Sequence, residues 1–486
     1  MHHSDTPFPV YCPDCWWGSS WDAVKYEKDV DFEKPFFEQW AQLRSVVPAL
    51  GMVISNGKNS DFSNYGSRLK NCYLLIAGDQ AEDCMYGSYV WLSRDCVDCM
   101  NVIRCEQCYE CIECEKCYNC LYSQKLDSCT DCVLGYDLRS CKNCFGCVGL
   151  RNKSYCWFNE QLEKEEYMVR LPALTFTQKN IQEWIKQREP IRLKHPHKYA
   201  QLINCESCTG DSLSDAKNCQ ECYDSFDLED CKYIINGPEK LKDCYDFTGI
   251  TTSELCYEGA SILGAIRLLF SERCWNGIYD IAYCSLCMNC TNCFGCISLQ
   301  NKEYCILNKQ YTKEQYNDLV PKVIELMQKN NEWGEFFPIS LSPFSYNETL
   351  AQECFPLTKE EVATKVWAWK EEEDELKNVD KIIPGERLPE RIEDIPDDIL
   401  NWAIKCEKTD RPFRIVSQEL AFYRRMKLPV PHFHPDERHN KKLEWRNPRK
   451  LWKRNCDKCG KEVESTFAPE RPETVYCEEC YLKKVY

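Results

Sequence analysis

The most explicit chemistry in this chain is carried by cysteine. Cys456 and Cys459 form one CxxC pair near the C-terminal end, and Cys477 and Cys480 form a second. Two such knuckles at this separation bring four thiolates around one tetrahedral ion, the pattern of a structural zinc ribbon with Zn–S bonds of about 2.3 Å. Cys12 and Cys15, in the run VYCPDCWW, look like the second knuckle of a ribbon that lacks its first. His2 and His3, a distant part of the chain or another subunit are the open sources for the missing ligands.

A longer series has a different logic. Cys72, Cys84, Cys96, Cys108, Cys120, Cys132, Cys144 and Cys156 are spaced by twelve, and between Cys105 and Cys120 every third residue is cysteine. No helix or ordinary strand has that period. A twelve-residue repeat with a three-residue sub-repeat fits a narrow solenoid whose coils have four short sides, one inward residue per side, and must stack on one another to bury a core. Coils about 4.8 Å apart would set one CxxC corner over the next, which nominates two zinc quartets: Cys105, Cys108, Cys117 and Cys120, then Cys129, Cys132, Cys141 and Cys144. The register Cys96, Cys99, Cys108, Cys111 competes with the first because it shares Cys108. The alternative role for such thiols is that of small buried apolar groups, most plausible at Cys72, Cys84, Cys244 and Cys256, which have no CxxC partner.

The elements around these cysteines show a duplication. Residues 141–157 (CKNCFGCVGLRNKSYCW) match 290–306 (CTNCFGCISLQNKEYCI) almost residue for residue, 149 positions apart. The second copy nominates Cys205, Cys208, Cys219 and Cys222 as one quartet, and Cys284, Cys287, Cys290 and Cys293, which lie within one coil, as either another quartet or ligands divided between two sites. The expected fold is therefore mainly β: two duplicated narrow cysteine-rich β-solenoids of about 12 residues per coil, joined and capped by helices, with a C-terminal zinc ribbon. The chain divides into a partial knuckle (1–30), a capping helix (31–55), solenoid 1 (56–157), a helical connector (158–204), solenoid 2 (205–306), a helical and extended docking segment and linker (307–405), a degenerate ribbon-like module (406–440) and a basic ribbon (441–486). Helical spacing in 31–47 and a Thr cap before the 178–187 stretch support the helices, and Pro321 is expected to kink or break the one after residue 312. In the degenerate module, Cys406, His434 and His439, with His432, form a weaker candidate metal set.

Composition narrows function. The chain has 486 residues, 38 of them cysteine, and a formal charge of −16. The start of the sequence does not read as a secretory signal, and no stretch is apolar enough to span a bilayer, so thiolate-bound metal in a reducing cytoplasm is expected over a disulfide framework. Charge reverses at the end: residues 411–486 hold 18 Lys or Arg against 11 Asp or Glu. Arg446, Arg449, Lys450 and Arg454, with Trp445 and Trp452 among them, form the candidate contact to nucleic acid or a ribonucleoprotein. No phosphate loop, HExxH or triad spacing is present, so the chain is expected not to be an enzyme. The leading expectation is a scaffold stabilised by several Zn2+ ions that binds a protein or ribonucleoprotein. Zinc storage, and an iron–sulfur or thiol redox protein, are the alternatives.

The motifs CDKCGKEVESTFAPERPETVYCEECY, RNPRKLWKR, CYECIECEKCYNC, CKNCFGCVGLRNKSYC and SPFSYNETLAQECFPLTKEE together resemble a bacterial family of cysteine-rich zinc-ribbon-domain proteins. The resemblance covers nearly the whole chain. It implies zinc at Cys456, Cys459, Cys477 and Cys480, and it departs at the N-terminus, where the family carries a CxxC upstream of the VYCxDCWW knuckle.

Overall fold

The computed structural model describes residues 8–60, 62–95, 97, 109, 114, 116–235, 238–242, 250–254, 262–266, 277–371, 376 and 379–485. His2, His3, Cys96, Cys99, Cys105, Cys108, Cys111, Cys244 and Cys256 lie outside them.

The three-residue sub-repeat has a backbone cause. From Arg68 through Asn71, Leu74, Ala77, Gln80, Asp83 and Tyr86, every third residue is left-handed, with φ between +51° and +57°. Each precedes a residue turned inward, among them Leu69, Cys72, Leu75, Ala81 and Cys84, all at most 2% exposed. A left-handed turn costs an ordinary L-residue roughly 1–2 kcal/mol, and less for Asn or Asp. Hydrogen bonds between successive turns of chain offset that cost. The left-handed residue donates backward (Asp83 N to Lys70 O, 2.9 Å), and the residue after the inward one donates forward (Glu82 N to Ser93 O, 3.0 Å). Side chains extend the ladder at the corners, where Asn71 Nδ2 donates to Asp83 Oδ1 at 3.1 Å.

The resulting strands are short and sit in small sheets. Ile54–Ser55, Asn64–Ser67, Ile76–Asp79 and Ser88–Trp91 pair in parallel, Gly66 against Gly78 and Gly78 against Val90. Further on, Cys132 pairs with Cys144 and Cys144 with Cys156. Single bridges Val97–Tyr109–Leu121–Val133 keep the same twelve-residue register between these groups. The second ladder holds it at Gly210 with Cys222, Ile250 with Ile262 and Cys293 with Cys305. It slips by one residue at Leu202 with Leu213, Leu228 with Leu241 and Ala265 with Ile278. Both ladders end in the same antiparallel reversal, Cys156 against Gln161 and Cys305 against Gln310.

Helices cover the ladders. Phe36–Arg44 was expected to cap the first, but it packs on the second: Phe36 meets the Phe294 ring at 5.2 Å, and Trp40 Nε1 donates to Tyr283 O at 3.1 Å. The Glu332 carboxylate accepts from its first two N–H groups, Phe36 N (2.8 Å) and Phe37 N (2.9 Å), which fixes that end. Lys313–Lys329 runs through Pro321 without breaking, held by a Thr312–Gln315 capping box and a buried face of Tyr316, Val323, Leu326 and Met327. A short helix follows, Lys359–Thr364, with a Thr358–Glu361 capping box. The following segment, expected as a linker, contributes strand Lys381–Pro384, which pairs in parallel with Trp402–Lys405.

Candidate metal centre

The C-terminal knuckles are built by a hairpin and a helix start. Trp452–Asn455 pairs antiparallel with Glu462–Ser465, Asn455 opposite Glu462. The turn between them closes with Cys456 N to Lys461 O (2.8 Å) and Gly460 N to Cys456 O (2.9 Å). Gly460 sits at φ +75°, where glycine avoids the side-chain penalty. Asp457 N donates to Val475 O at 2.9 Å and ties the hairpin to strand Val475–Tyr476, after which Cys477 leads into helix Glu478–Val485.

The four thiols converge: their sulfurs all lie within 4.8 Å of one another, and Cys459 Sγ is 3.7 Å from Cys477 Sγ. A tetrahedral ion with metal–sulfur bonds of about 2.3 Å holds its sulfurs about 3.8 Å apart, so this set can hold a metal ion. Burial raises the Cys456 thiol, but N–H donors at Cys477, Cys459 and Lys458 outweigh it and bring the group down to about 6. Cys480 is pushed up to about 12, by burial and then by donating toward Cys477, Cys459 and Cys456. One thiol of the set is thus already poised as the thiolate a metal requires.

The centre sits where both ladders meet. Strand His197–Lys198, which leads into the second ladder, pairs with Val475–Tyr476. Tyr481 OH donates to Asp137 Oδ2 of the first ladder (3.0 Å) and accepts from Arg151 Nη2 (3.0 Å). Burial would raise Asp137, yet the His195 hydrogen bond and the Arg151 guanidinium hold its carboxyl down at about 2.

The ladder thiols are arranged differently. Cys129 neighbours Cys117, Cys132 and Cys141, and Cys144 neighbours Cys132, Cys141 and Cys147, so each of these two members of the expected quartet adjoins both Cys132 and Cys141. Cys120 adjoins Cys132, while Cys105 and Cys108, the other half of its quartet, are outside the described residues. In the second ladder Cys219 adjoins Cys208, Cys222 and Cys231, with Cys205 nearby. Cys284, Cys287, Cys290 and Cys293 adjoin one another in sequence order. Among the described residues, the one group of three or more ligating side chains that closes within 4.8 Å is the C-terminal set. Ladder thiols hydrogen-bond to backbone carbonyls two residues back and nine ahead: Cys132 Sγ to Thr130 O (3.4 Å) and Cys141 O (3.7 Å), Cys293 Sγ to Thr291 O (3.5 Å).

Three of the four residues of the expected nucleic-acid patch are turned inward. Arg446 and Arg449 both bind Asp224 of the second ladder, at 2.6 and 2.8 Å, with side chains 9% and 10% exposed. Arg454 pairs with Asp457 at 3.2 Å and is 8% exposed. Lys450 lies over the Trp452 ring. Asp224 is a partner that the sequence did not reveal, being 225 positions from Arg449.

At the N-terminus, Cys12 and Cys15 are exposed. Strand Val10–Tyr11 pairs in parallel with Ala49–Leu50, as Val475–Tyr476 does with His197–Lys198. Trp16 N donates to Cys12 O at 2.9 Å, as Tyr481 N does to Cys477 O. The repeated tripeptide VYC was the available signal for this equivalence. Among the described residues no second thiol pair closes this site.

No family model matches the chain, and no curated protein does. Among solved structures, that of a putative acetyltransferase from Desulfovibrio desulfuricans G20 aligns at 9% identity over 50% of this chain and 63% of that chain, with a TM-score of 0.11. So low a score carries no argument about fold or activity. The expectation that the chain is not an enzyme does not stand beside that neighbour's name, and nothing about catalysis is concluded from it. Among the described residues no helix is long and apolar enough to cross a membrane.

Proposed function

We propose that this chain is a zinc-stapled scaffold: two twelve-residue-per-coil β-solenoids held in register by a zinc ribbon, presenting their outer faces to a protein partner. The observation that carries this reading is the position of the convergent thiols. Cys456, Cys459, Cys477 and Cys480 close around one point, and the elements that carry them bond to both ladders through His197–Lys198 and through Asp137. A metal there cross-links the hairpin to the helix start, and its binding energy becomes folding energy for the joint. Four thiolates favour zinc over the harder cations. The resemblance to the zinc-ribbon-domain family supports the same reading. In the ladders, thiols bonded to coil carbonyls act as small core groups, and one zinc per chain is the consequence. With Arg446, Arg449 and Arg454 engaged inside the molecule, a protein partner is favoured over nucleic acid.

The test is Cys477→Ser with hydrogen exchange read across the chain. Loss of bound zinc together with faster exchange at 137–151 and 197–203 is the expected result; zinc loss with no change at either ladder would refute the stapling role. A storage role rests on the unbroken run of neighbouring thiols, and it requires ladder zinc that leaves without unfolding.

A further inference from the structure

The segment 402–445 repeats the backbone of the C-terminal ribbon. Trp402–Lys405 and Pro412–Phe413 pair antiparallel, Lys405 opposite Pro412, as Asn455 stands opposite Glu462. Between them Cys406 N donates to Arg411 O (2.9 Å) and Asp410 N to Cys406 O (3.0 Å), matching the bonds at Cys456 and Gly460. Asp410 is left-handed at φ +57°, as Gly460 is. Glu407 N donates to His432 O (3.2 Å) where Asp457 N donates to Val475 O, and Arg438 N to His434 O (3.0 Å) where Tyr481 N donates to Cys477 O. The backbone of His434 hydrogen-bonds to the Cys406 thiol, as that of Cys477 does to Cys456. These matches superpose Cys406, Thr409, His434 and Glu437 on Cys456, Cys459, Cys477 and Cys480.

The donor set has changed, and each member is engaged within the module or beside it. Thr409 bonds to the Cys406 thiol. His434 Nδ1 accepts from Asp436 N at 3.1 Å and caps helix Pro435–Trp445. Glu437 meets Lys408 at 2.8 Å, and Arg411 meets Asp436 at 3.0 Å. The other histidines expected as ligands meet carboxylates: His432 bonds to Glu407 of the first knuckle, and His439 to Glu353 outside the module at 3.1 Å. A ribbon's metal does one mechanical job, which is to tie the first knuckle to the second. Here two ion pairs, Lys408–Glu437 and Arg411–Asp436, each run from the first knuckle to the second.

We infer that 402–445 is a second ribbon that has exchanged its metal for these two cross-knuckle ion pairs. It rests on reading 441–486 as a ribbon, but not on that ribbon's stapling role. The consequence is a molecule with two clamps of unlike chemistry. The ion-paired ribbon grips the first ladder through Glu419, which accepts from Arg438 Nη1 (3.2 Å), Tyr423 OH (2.7 Å) and Tyr86 OH (2.9 Å). The metal ribbon grips it through Tyr481, the residue equivalent to Arg438. Chelation should therefore release one clamp and leave the other.

The full-length protein is tested with hydrogen exchange before and after a zinc chelator, alongside elemental analysis of variants. The expected result is loss of protection over 452–485 with 402–445 unchanged, no loss of zinc in Cys406→Ser, and several-fold faster exchange across 402–445 in a Lys408→Met, Arg411→Met variant that keeps its zinc. Loss of one zinc equivalent in Cys406→Ser, joint loss of protection in both modules on chelation, or unchanged exchange in the double variant would each overturn it. A failure of the stapling role alone would appear at Cys477→Ser and leave these readouts as stated.

Discussion

The ladders and the C-terminal ribbon use the same side chain for opposite ends. In the ladders, cysteine recurs because a small, weakly polar group fits the inward position of each three-residue step and can reach a carbonyl two residues back or nine ahead. In the ribbon, four cysteines leave the regular register to meet at one point. Spacing alone does not distinguish the two, since CxxC occurs in both. What distinguishes them is whether the pairs sit on elements free to converge: a hairpin and a helix start can turn toward each other, whereas parallel-paired strands hold their thiols at fixed separations.

Substitutions that treat the two sets alike should separate them. The largest effect is expected at the ribbon. Cys456→Ser should cost most of the metal's contribution, on the order of 10 kcal/mol of binding for a structural zinc, seen as local unfolding of 452–485 by hydrogen exchange. Next is the seam between the ribbon approach and the second ladder. Asp224→Ala leaves Arg446 and Arg449 buried without their shared carboxylate, and should destabilise the protein by about 3–5 kcal/mol in denaturant unfolding.

His197 gives the joint a pH dependence. It is 6% exposed, neither ring nitrogen has a hydrogen-bond partner, and burial pulls it down to about 3. A base depressed in the folded state contributes stability that is present above its unfolded value near 6.5 and is lost as pH falls from there toward 3. At pH 5 the loss is about 2 kcal/mol at ~1.36 kcal/mol per unit. His197→Phe, whose ring suits neighbours Tyr136 and Phe467, should flatten that slope between pH 6.5 and 5 in thermal unfolding.

The smallest effect is expected in the ladder. Cys132→Ala should cost about 1 kcal/mol, as for one buried heavy atom, with bound zinc unchanged. A cost of several kcal/mol accompanied by metal loss would show that the ladder thiols are ligands and dissolve the contrast.

The parts of this arrangement that could be read from sequence are those written locally. The twelve-residue register follows from Cys72 to Cys156 at one spacing, and Asn71 and Asp83 mark left-handed corners by their type. Leu74, Ala77 and Tyr86 do not, because the hydrogen bonds to neighbouring strands impose that conformation on them. The ribbon was legible because both knuckles keep their CxxC pairs. Its ion-paired counterpart was not, since Thr409 and Glu437 carry no ligand signature and their equivalence lies in backbone hydrogen bonds. An apolar stripe in 36–44 says that a face is buried but not which ladder buries it. The basic run at 446–454 looked open because its acidic partner, Asp224, lies in another part of the chain.

The most direct measurement is zinc per chain by elemental analysis, on full-length protein purified without added metal, for the parent and for Cys456→Ser. The account predicts close to one zinc in the parent and almost none in the variant. Two or more zincs that persist in Cys456→Ser would place metal in the ladders and contradict it.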